Sequence, residues 1–423
     1  MLDIRLFREN ADEVKARLAS RGKGDEKMVD EVIALDAQRR QILSEVEKLK
    51  SERNSLNKEI GAKKSRGESV DEIMQGMKER SERVTVLDKE VAEVEEKQRA
   101  ILLRIPNLPH KACPKGTGAQ DNPVVKTWGE KPKFNFKPMD HVSLVEKLKI
   151  IDFDIATKIS GSGFILYQGA GARLERALIN FLLDLQTKEH GYTEISPPFI
   201  IREACMEGTS QLPKFKEDMY GVTECDLYLA PTAEVPVTNM HREEIVPLAR
   251  LPIRYAAYTP CFRREAGSAG RETRGMIRVH QFDKVELVKI VEPSTSYDEL
   301  ESLRGNAEKV LELLGLHYRT IELCAGDIGF GAAKCYDLEV WAPGSEAYLE
   351  VSSCSNFEDF QARRMNLRYK AADGKNYFCH TLNGSGTALA RLYIALVETY
   401  QQADGTIALP KILHPYFDGE RIG

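Results

Sequence analysis

The chain has 423 residues, 42% of them hydrophobic and 30% charged, with a formal net charge of -5; that length allows two or three domains with a sizeable core. No run of 18 or more apolar residues occurs, which argues against a membrane-spanning helix, and the opening MLDIRLFRENADEV lacks the apolar stretch of a secretory signal. Eight cysteines lie scattered from Cys113 to Cys379 without a CxxC pair, as expected of reduced thiols in a cytoplasmic protein, and Phe378–His380 has no matching pair nearby to make a metal site.

Polar helix formers dominate before residue 105, and proline is absent there. Val32, Leu35, Ile42, Val46, Leu49, Leu56 and Ile60 follow a heptad-like spacing, with Arg39 and Arg53 on the same seam. Ile73, Met77, Val84, Leu87, Val91, Val94, Ile101 and Ile105 repeat it, interrupted by Arg80 and Gln98. Gly61–Ser69 between them has two glycines and no strong hydrophobe, so a turn is expected there. The pattern predicts an antiparallel helical hairpin over residues 29–101, each helix about 45–50 Å long at the usual rise. Such a hairpin could serve as a dimerisation coiled coil. Its charge suggests another use. Lys48, Lys50, Arg53, Lys58, Lys63, Lys64 and Arg66 face only Glu52 and Glu59 across the same stretch, a net of +5 near the tip. A basic tip suits a phosphate backbone, with a merely solvated face as the alternative.

Prolines 106, 109, 114 and 123 mark residues 106–135 as a linker between residues 1–105 and a second domain over 136–423. There Gly171–His190 reads as an amphipathic helix stopped at Gly191, YTEISPPFI as a strand running into Pro197–Pro198, and VELVKIV and DLEVWA as further strands. Without regular βα alternation, the expected class is α+β, an antiparallel sheet backed by helices. No P-loop is present, and GAGARL falls short of a dinucleotide fingerprint.

Residues 262–288 carry five arginines and three glycines between strand-like ends, a hairpin pattern. Its Phe262–Glu265 resembles the arginine-x-glutamate of motif 2 in class II aminoacyl-tRNA synthetases. An arginine fork can hold an α-phosphate bidentately, and a carboxylate two residues on, expected on the same strand face, can accept from an adenine amine. Arg278 is expected to begin the second strand and to reach the outer phosphates, with Phe282 as a stacking plane. NGSGTALAR at Asn383–Arg391 resembles motif 3, although Ala388 and Ala390 replace a glycine and an acid of the general pattern. The helix and strand before Pro197–Pro198 resemble motif 1, a dimer-interface element.

LAPTAE, GRETRGMIRVHQFDKVELV, EVSSCSNFEDFQARR and the helical arm together are similar to bacterial-type seryl-tRNA synthetases over essentially the whole chain. The resemblance implies a homodimer that uses ATP and Mg2+ to activate L-serine and charges tRNA(Ser), with tRNA(Sec) as a second candidate. It implies that Thr232, Ala233, Glu234, Asn383 and Ser385 line the serine pocket, and that Glu286 receives the ammonium or hydroxyl. Arg263 would hold the serine carboxylate and the α-phosphate, Glu265 would read adenine, and Arg391 would cap the nucleotide. Arg264, Arg278, Val279, Phe282, Val351 and Ser352 would complete the ATP site, with Glu350 and Ser353 on the metal. Val279 stands where many members carry glutamine, so its backbone is expected to matter more than its side chain. The competing reading is a non-catalytic synthetase-like homologue that binds RNA.

Overall fold

A computed structural model describes residues 1–266 and 275–423. They form two compact units, Met1–Pro106 and Asn107–Gly423. Among the described residues no helix is long and apolar enough to cross a membrane.

In the first unit, α1 (Met28–Ser65) and α2 (Asp71–Leu102) run side by side. Ile42 and Val46 bury against Val84, Leu87, Val91 and Val94, while Leu56, Ile60, Ile73 and Met77 nearer the tip are only half covered. Two helices alone cannot enclose a seam on every side. The polar seam positions pair across it: Arg39 with Glu95 at 2.7 Å, Arg80 with Glu52 at 3.1 Å, and Gln98 donating to the Val32 carbonyl at 3.5 Å. The turn is shorter than Gly61–Ser69, because Gly61–Ser65 remain helical. Gly67, not Gly61, takes the left-handed conformation, at φ 73°. Its N–H donates to Lys64 and that of Glu68 to Lys63, at 3.2 and 3.1 Å, a Schellman closure of the last turn.

The second unit is built on an eight-stranded sheet. Its strands are β1 (Val124–Trp128), β2 (Thr193–Glu194), β3 (Ile253–Phe262), β4 (Gln281–Val291), β5 (Tyr318–Glu322), β6 (Lys334–Ala342), β7 (Ala347–Asn356) and β8 (His380–Ala388). The spatial order is β1-β5-β6-β7-β8-β4-β3-β2, with every pair antiparallel except β3 with β2. Helices α3 (Ala170–Asp184), α4 (Ser296–Leu313) and α5 (Leu389–Tyr400) cover one face, where Val285, Leu287, Leu338, Val340, Val351 and Leu382 meet Leu178, Leu303 and Leu392. Because side chains alternate along a strand, the other face is left for polar residues. Gly384 points toward the helices: a Cβ there would lie 3.1 Å from Leu303 and 2.9 Å from Cys354.

Three expectations change. Residues 106–135 are not simply a linker, since β1 pairs with β5 at the sheet edge. Helix α3 ends at Asp184, short of the expected His190, and widens into a π turn over Leu185–Glu189, where the Thr187 hydroxyl bonds back to the Leu183 carbonyl at 2.8 Å. The strand after it is limited to Thr193–Glu194, because the Pro197–Pro198 pair has no N–H to continue a ladder.

Candidate active site

The polar face of the sheet floors a cavity of about 640 Å³. Two β-bulges set its composition. One interrupts β7 between Glu350 and Ser352, the other β8 between Ser385 and Thr387. Strict alternation would put residues three apart on opposite faces; the first bulge lets Glu350 and Ser353 both line the cavity.

Part of its lining is a cluster of buried polar side chains. Lys284 and Glu286, two apart on β4, share the face and form an ion pair with side-chain exposures of only 8% and 2%. Lys284 Nζ also donates to Thr232 Oγ1 at 2.8 Å, and that hydroxyl donates to Glu286 Oε2 at 3.0 Å. Thr232 Oγ1 accepts as well from the Glu234 N–H, at 3.2 Å, at the start of the short helix Glu234–Thr238. Glu234 is buried, and burial, then the charge of Glu286, pushes its carboxyl up to about 7. Its Oε1 accepts from Gln361 Nε2 at 2.6 Å, and Gln361 Oε1 in turn accepts from Thr381 at 2.7 Å. Asn383 and Ser385 line the same cavity. Ala233 does not: it packs with Val237, Ala257 and Val288 behind it.

Arg263, Arg278 and Arg391 line the same cavity, with Arg263 next to this cluster. Arg263 Nε donates to the Pro231 carbonyl at 3.2 Å, and its guanidinium lies 5.3 Å from the Phe282 ring. Arg278 pairs with Glu265 at 3.3 Å, and Arg391 donates to the Glu350 carbonyl at 2.9 Å and lies 3.4 Å from its carboxylate. Val279 and Val351 complete the lining. The expected strand-face argument for Arg263 and Glu265 does not hold, because β3 ends at Phe262 and Glu265 has left-handed backbone at φ 50°. Arg278 likewise precedes β4, which begins at Gln281. Both residues sit on the connection leaving the ladder; its middle, residues 267–274, lies outside the described residues. Arg264 is exposed, with its N–H donating to the Asp218 carbonyl at 2.8 Å, and Ser352 turns away to donate to the Ser385 carbonyl at 2.5 Å.

Among the described residues, no group of three or more His, Cys, Asp or Glu could share one metal ion. Glu350 and Ser353 offer oxygen donors alone, and Asp337 stands opposite Ser353 in the ladder, its acid pushed up by burial and then by Glu350. A small hard cation that draws most of its ligands from phosphates and water fits such a sparse set.

The sequence reading missed Lys284, Gln361 and Asp337. Alternation along VELVKIV extended backwards reaches Lys284, two before Glu286. Gln361 arrives from a separate helix, Phe360–Met365, and carries no local signal. On the helical hairpin, Lys48, Lys50, Lys58, Lys64 and Arg66 are exposed, while Arg53 and Lys63 are half-buried; Lys63 lies 3.5 Å from Glu59 and Lys50 3.8 Å from Asp88.

An antiparallel sheet with helices on one face and an arginine-flanked cavity on the other defines the class. Residues 218–400 match the tRNA synthetase class II core domain shared by the G, H, P, S and T enzymes. Residues 1–109 match the seryl-tRNA synthetase N-terminal domain. The chain belongs to the seryl-tRNA synthetase family. It is 58% identical over 422 residues to a serine–tRNA ligase of Akkermansia muciniphila, covering 100% of this chain and 99% of that protein. A serine–tRNA ligase of Bacillus cereus is 54% identical, with both chains covered in full (100% each). The seryl-tRNA synthetase of Pyrococcus horikoshii solved with ATP superposes with a TM-score of 0.94 at 40% identity, covering 100% of this chain and 99% of that one.

Proposed function

We propose that this protein is a serine–tRNA ligase. Serine's carboxylate oxygen attacks the α-phosphorus of ATP, the bond to the bridging oxygen breaks, and pyrophosphate leaves. The ribose hydroxyl at the 3′ end of tRNA(Ser) then attacks the carbonyl carbon of the adenylate, and AMP leaves. The observation that carries this reading is one cavity lined both by a buried hydroxyl–carboxylate cluster (Thr232, Glu286, Glu234) and by Arg263, Arg278 and Arg391. The cluster suits an ammonium and a hydroxyl, the arginines a triphosphate.

In this reading Arg263 faces both the carboxylate and the α-phosphate. Its Nε is committed to Pro231, which leaves the terminal nitrogens for a bidentate contact that strengthens as charge develops. Phe282 offers the adenine a plane, Glu265 accepts from its amine, and Arg278 and Arg391 exchange their carboxylate partners for phosphates. Glu350 and Ser353 would hold Mg2+, which when bound neutralises charge between the phosphates. No general base is required for activation, since positioning and charge neutralisation can carry it.

Exposed lysines and Arg66 at the end of the helical hairpin would contact the tRNA backbone. Phosphate contacts carry no base sequence, so tRNA(Sec) is a second candidate substrate, to be tested by charging its transcript. A homodimer through the motif 1-like helix α3 is consistent with exposed Phe199 and Ile200 beyond it, and the eight free cysteines suit the cytoplasm. Serine-dependent exchange of pyrophosphate into ATP tests the reading. Its absence in purified protein would favour a non-catalytic RNA-binding homologue.

A further inference from the structure

The ladder between β3 and β4 runs in register to Phe262 opposite Gln281. One step further, the Arg263 N–H donates to the His280 carbonyl at 2.9 Å. In an antiparallel hydrogen-bonded pair, the reciprocal bond would run from the His280 N–H to the Arg263 carbonyl. It does not. The His280 N–H donates instead to the Gly163 carbonyl at 2.8 Å, and His280 Nδ1 lies 3.0 Å from the Arg263 carbonyl. A carbonyl can only accept, so Nδ1 carries the hydrogen, and the ring stands in for a backbone donor.

The ring is itself confined. Gly163 has φ 81°, and a Cβ on it would lie 2.5 Å from His280 Cδ2, so only glycine lets the imidazole pack there. Phe164 approaches at 5.4 Å between ring centroids, and Tyr220 meets the ring edge-on at 6.5 Å. Downstream, Asp218 takes up the chain: its carbonyl accepts from the Arg264 N–H at 2.8 Å and its Oδ1 from the Ala266 N–H at 3.0 Å. The peptide bearing Arg263 is therefore fixed at the point where the chain leaves the sheet.

We infer that His280 is the positioning residue of Arg263, its Nδ1–H holding the Arg263 carbonyl so that the guanidinium stays between Pro231 and Phe282. The inference rests on the reading of Arg263 as the residue that holds the α-phosphate. His280 touches no substrate in this scheme. Without the ring, the Arg263 carbonyl loses its donor, the peptide is held only by the N–H bonds of Arg263 and Arg264, and the fork loses its aim.

The test is serine-dependent pyrophosphate exchange by His280→Ala, His280→Asn and His280→Gln, each alone and combined with Arg263→Ala, with thermal melting of every variant. Misplacing a catalytic group by about 1 Å can cost about a hundredfold, so His280→Ala is expected to lower kcat/KM about tenfold to a hundredfold. The asparagine amide reaches the place of Nδ1 and should restore most of the activity; the glutamine amide reaches the place of Nε2 and should not. In the Arg263→Ala background the loss from His280→Ala should vanish, because the group it positions is gone. An equal fold-loss in both backgrounds would overturn the inference, as would an asparagine variant that melts like wild type and is no more active than alanine. If Arg263→Ala itself exchanges at the wild-type rate, the reading of Arg263 is what fails, and the inference falls with it. Should His280→Ala not fold, the asparagine–glutamine contrast decides alone.

Discussion

The helical hairpin and the cavity use charge in opposite ways. Along the hairpin, Arg39–Glu95, Arg80–Glu52 and Arg83–Glu45 are ion pairs with both members substantially in water. Each such pair contributes roughly 0–1 kcal/mol. In the cavity, Lys284 and Glu286 are almost wholly buried and depend on each other. Removing one partner of such a pair leaves an uncompensated charge at a cost of about 3–5 kcal/mol. Charge on the hairpin can therefore be rewritten without unfolding the protein, whereas the charge of the Lys284–Glu286 pair can be changed only by isosteric replacement.

The largest expected effect exploits that difference. Replacing the residues between Leu49 and Val84 by a short turn keeps the packed base of the hairpin (Ile42, Val46, Leu87, Val91 and Val94) and removes the basic tip. Pyrophosphate exchange should stay near wild type while tRNA charging at ordinary salt is abolished; surviving charging would end the assignment of the tip to RNA. The milder triple reversal of Lys63, Lys64 and Arg66 to glutamate should raise KM for tRNA and flatten its salt dependence, since each lost phosphate contact removes about one from the logarithmic slope.

Next comes Arg263. Its replacement by alanine should lower kcat for activation by about two to three orders of magnitude, or about 3–4 kcal/mol, because a fixed donor to the developing charge is gone. Arg263→Lys should not restore the rate, since a point charge cannot reproduce the fork. A lysine variant at wild-type speed would show that Nε anchoring on Pro231 and stacking on Phe282 have no bearing on function.

A smaller effect concerns serine and its analogues. A pocket that hydrogen-bonds a hydroxyl leaves buried groups unpaired when alanine enters, and can reject it by roughly 10⁴–10⁵. Glu286→Gln keeps the shape beside Lys284 and should raise KM for serine about tenfold, the worth of one charged hydrogen bond. Thr232→Ala should weaken serine and narrow the serine/alanine gap, because Thr232 Oγ1 joins Lys284 to Glu286. The check is kcat/KM for serine, alanine and threonine in exchange; discrimination unchanged in Thr232→Ala would move the hydroxyl contact to Asn383 or Ser385.

The same contrast explains what was legible in the sequence. The hairpin is a local structure, so its spacing gave both helices, and only the turn shifted, because the left-handed residue proved to be Gly67 and the last turn accepted Lys63 and Lys64. The sheet was readable as a class, since period-two runs mark β4 and β6, yet its strand order joins residues as far apart as Val124 and Ile321. The cavity residues were legible through motif resemblance. What the motifs could not carry is the bulge that brings Glu350 and Ser353 to one face, the left-handed Glu265, and Gln361, which reaches Glu234 across 127 residues of chain.

The smallest effect is a pH dependence of stability in the ligand-free protein. Glu234 has its acid raised from 4.5 to about 7, chiefly by burial and then by Glu286. Between those values the folded state keeps a proton that the unfolded chain releases. Stability therefore falls as pH rises through this window and changes no further above about 7 on this account. Glu234→Gln removes the titration and keeps the shape. It also keeps an acceptor for Gln361 Nε2, whose orientation is fixed because Gln361 Oε1 accepts from Thr381. The variant should match wild type near pH 5 and exceed it at pH 8, by at most about 3 kcal/mol at 1.36 kcal/mol per unit. Denaturant titrations at both pH values measure the difference. A variant no more stable than wild type at pH 8 would mean that Lys284 and Arg263 compensate the ionised Glu234 in full, and that the pocket carries two carboxylates before serine arrives.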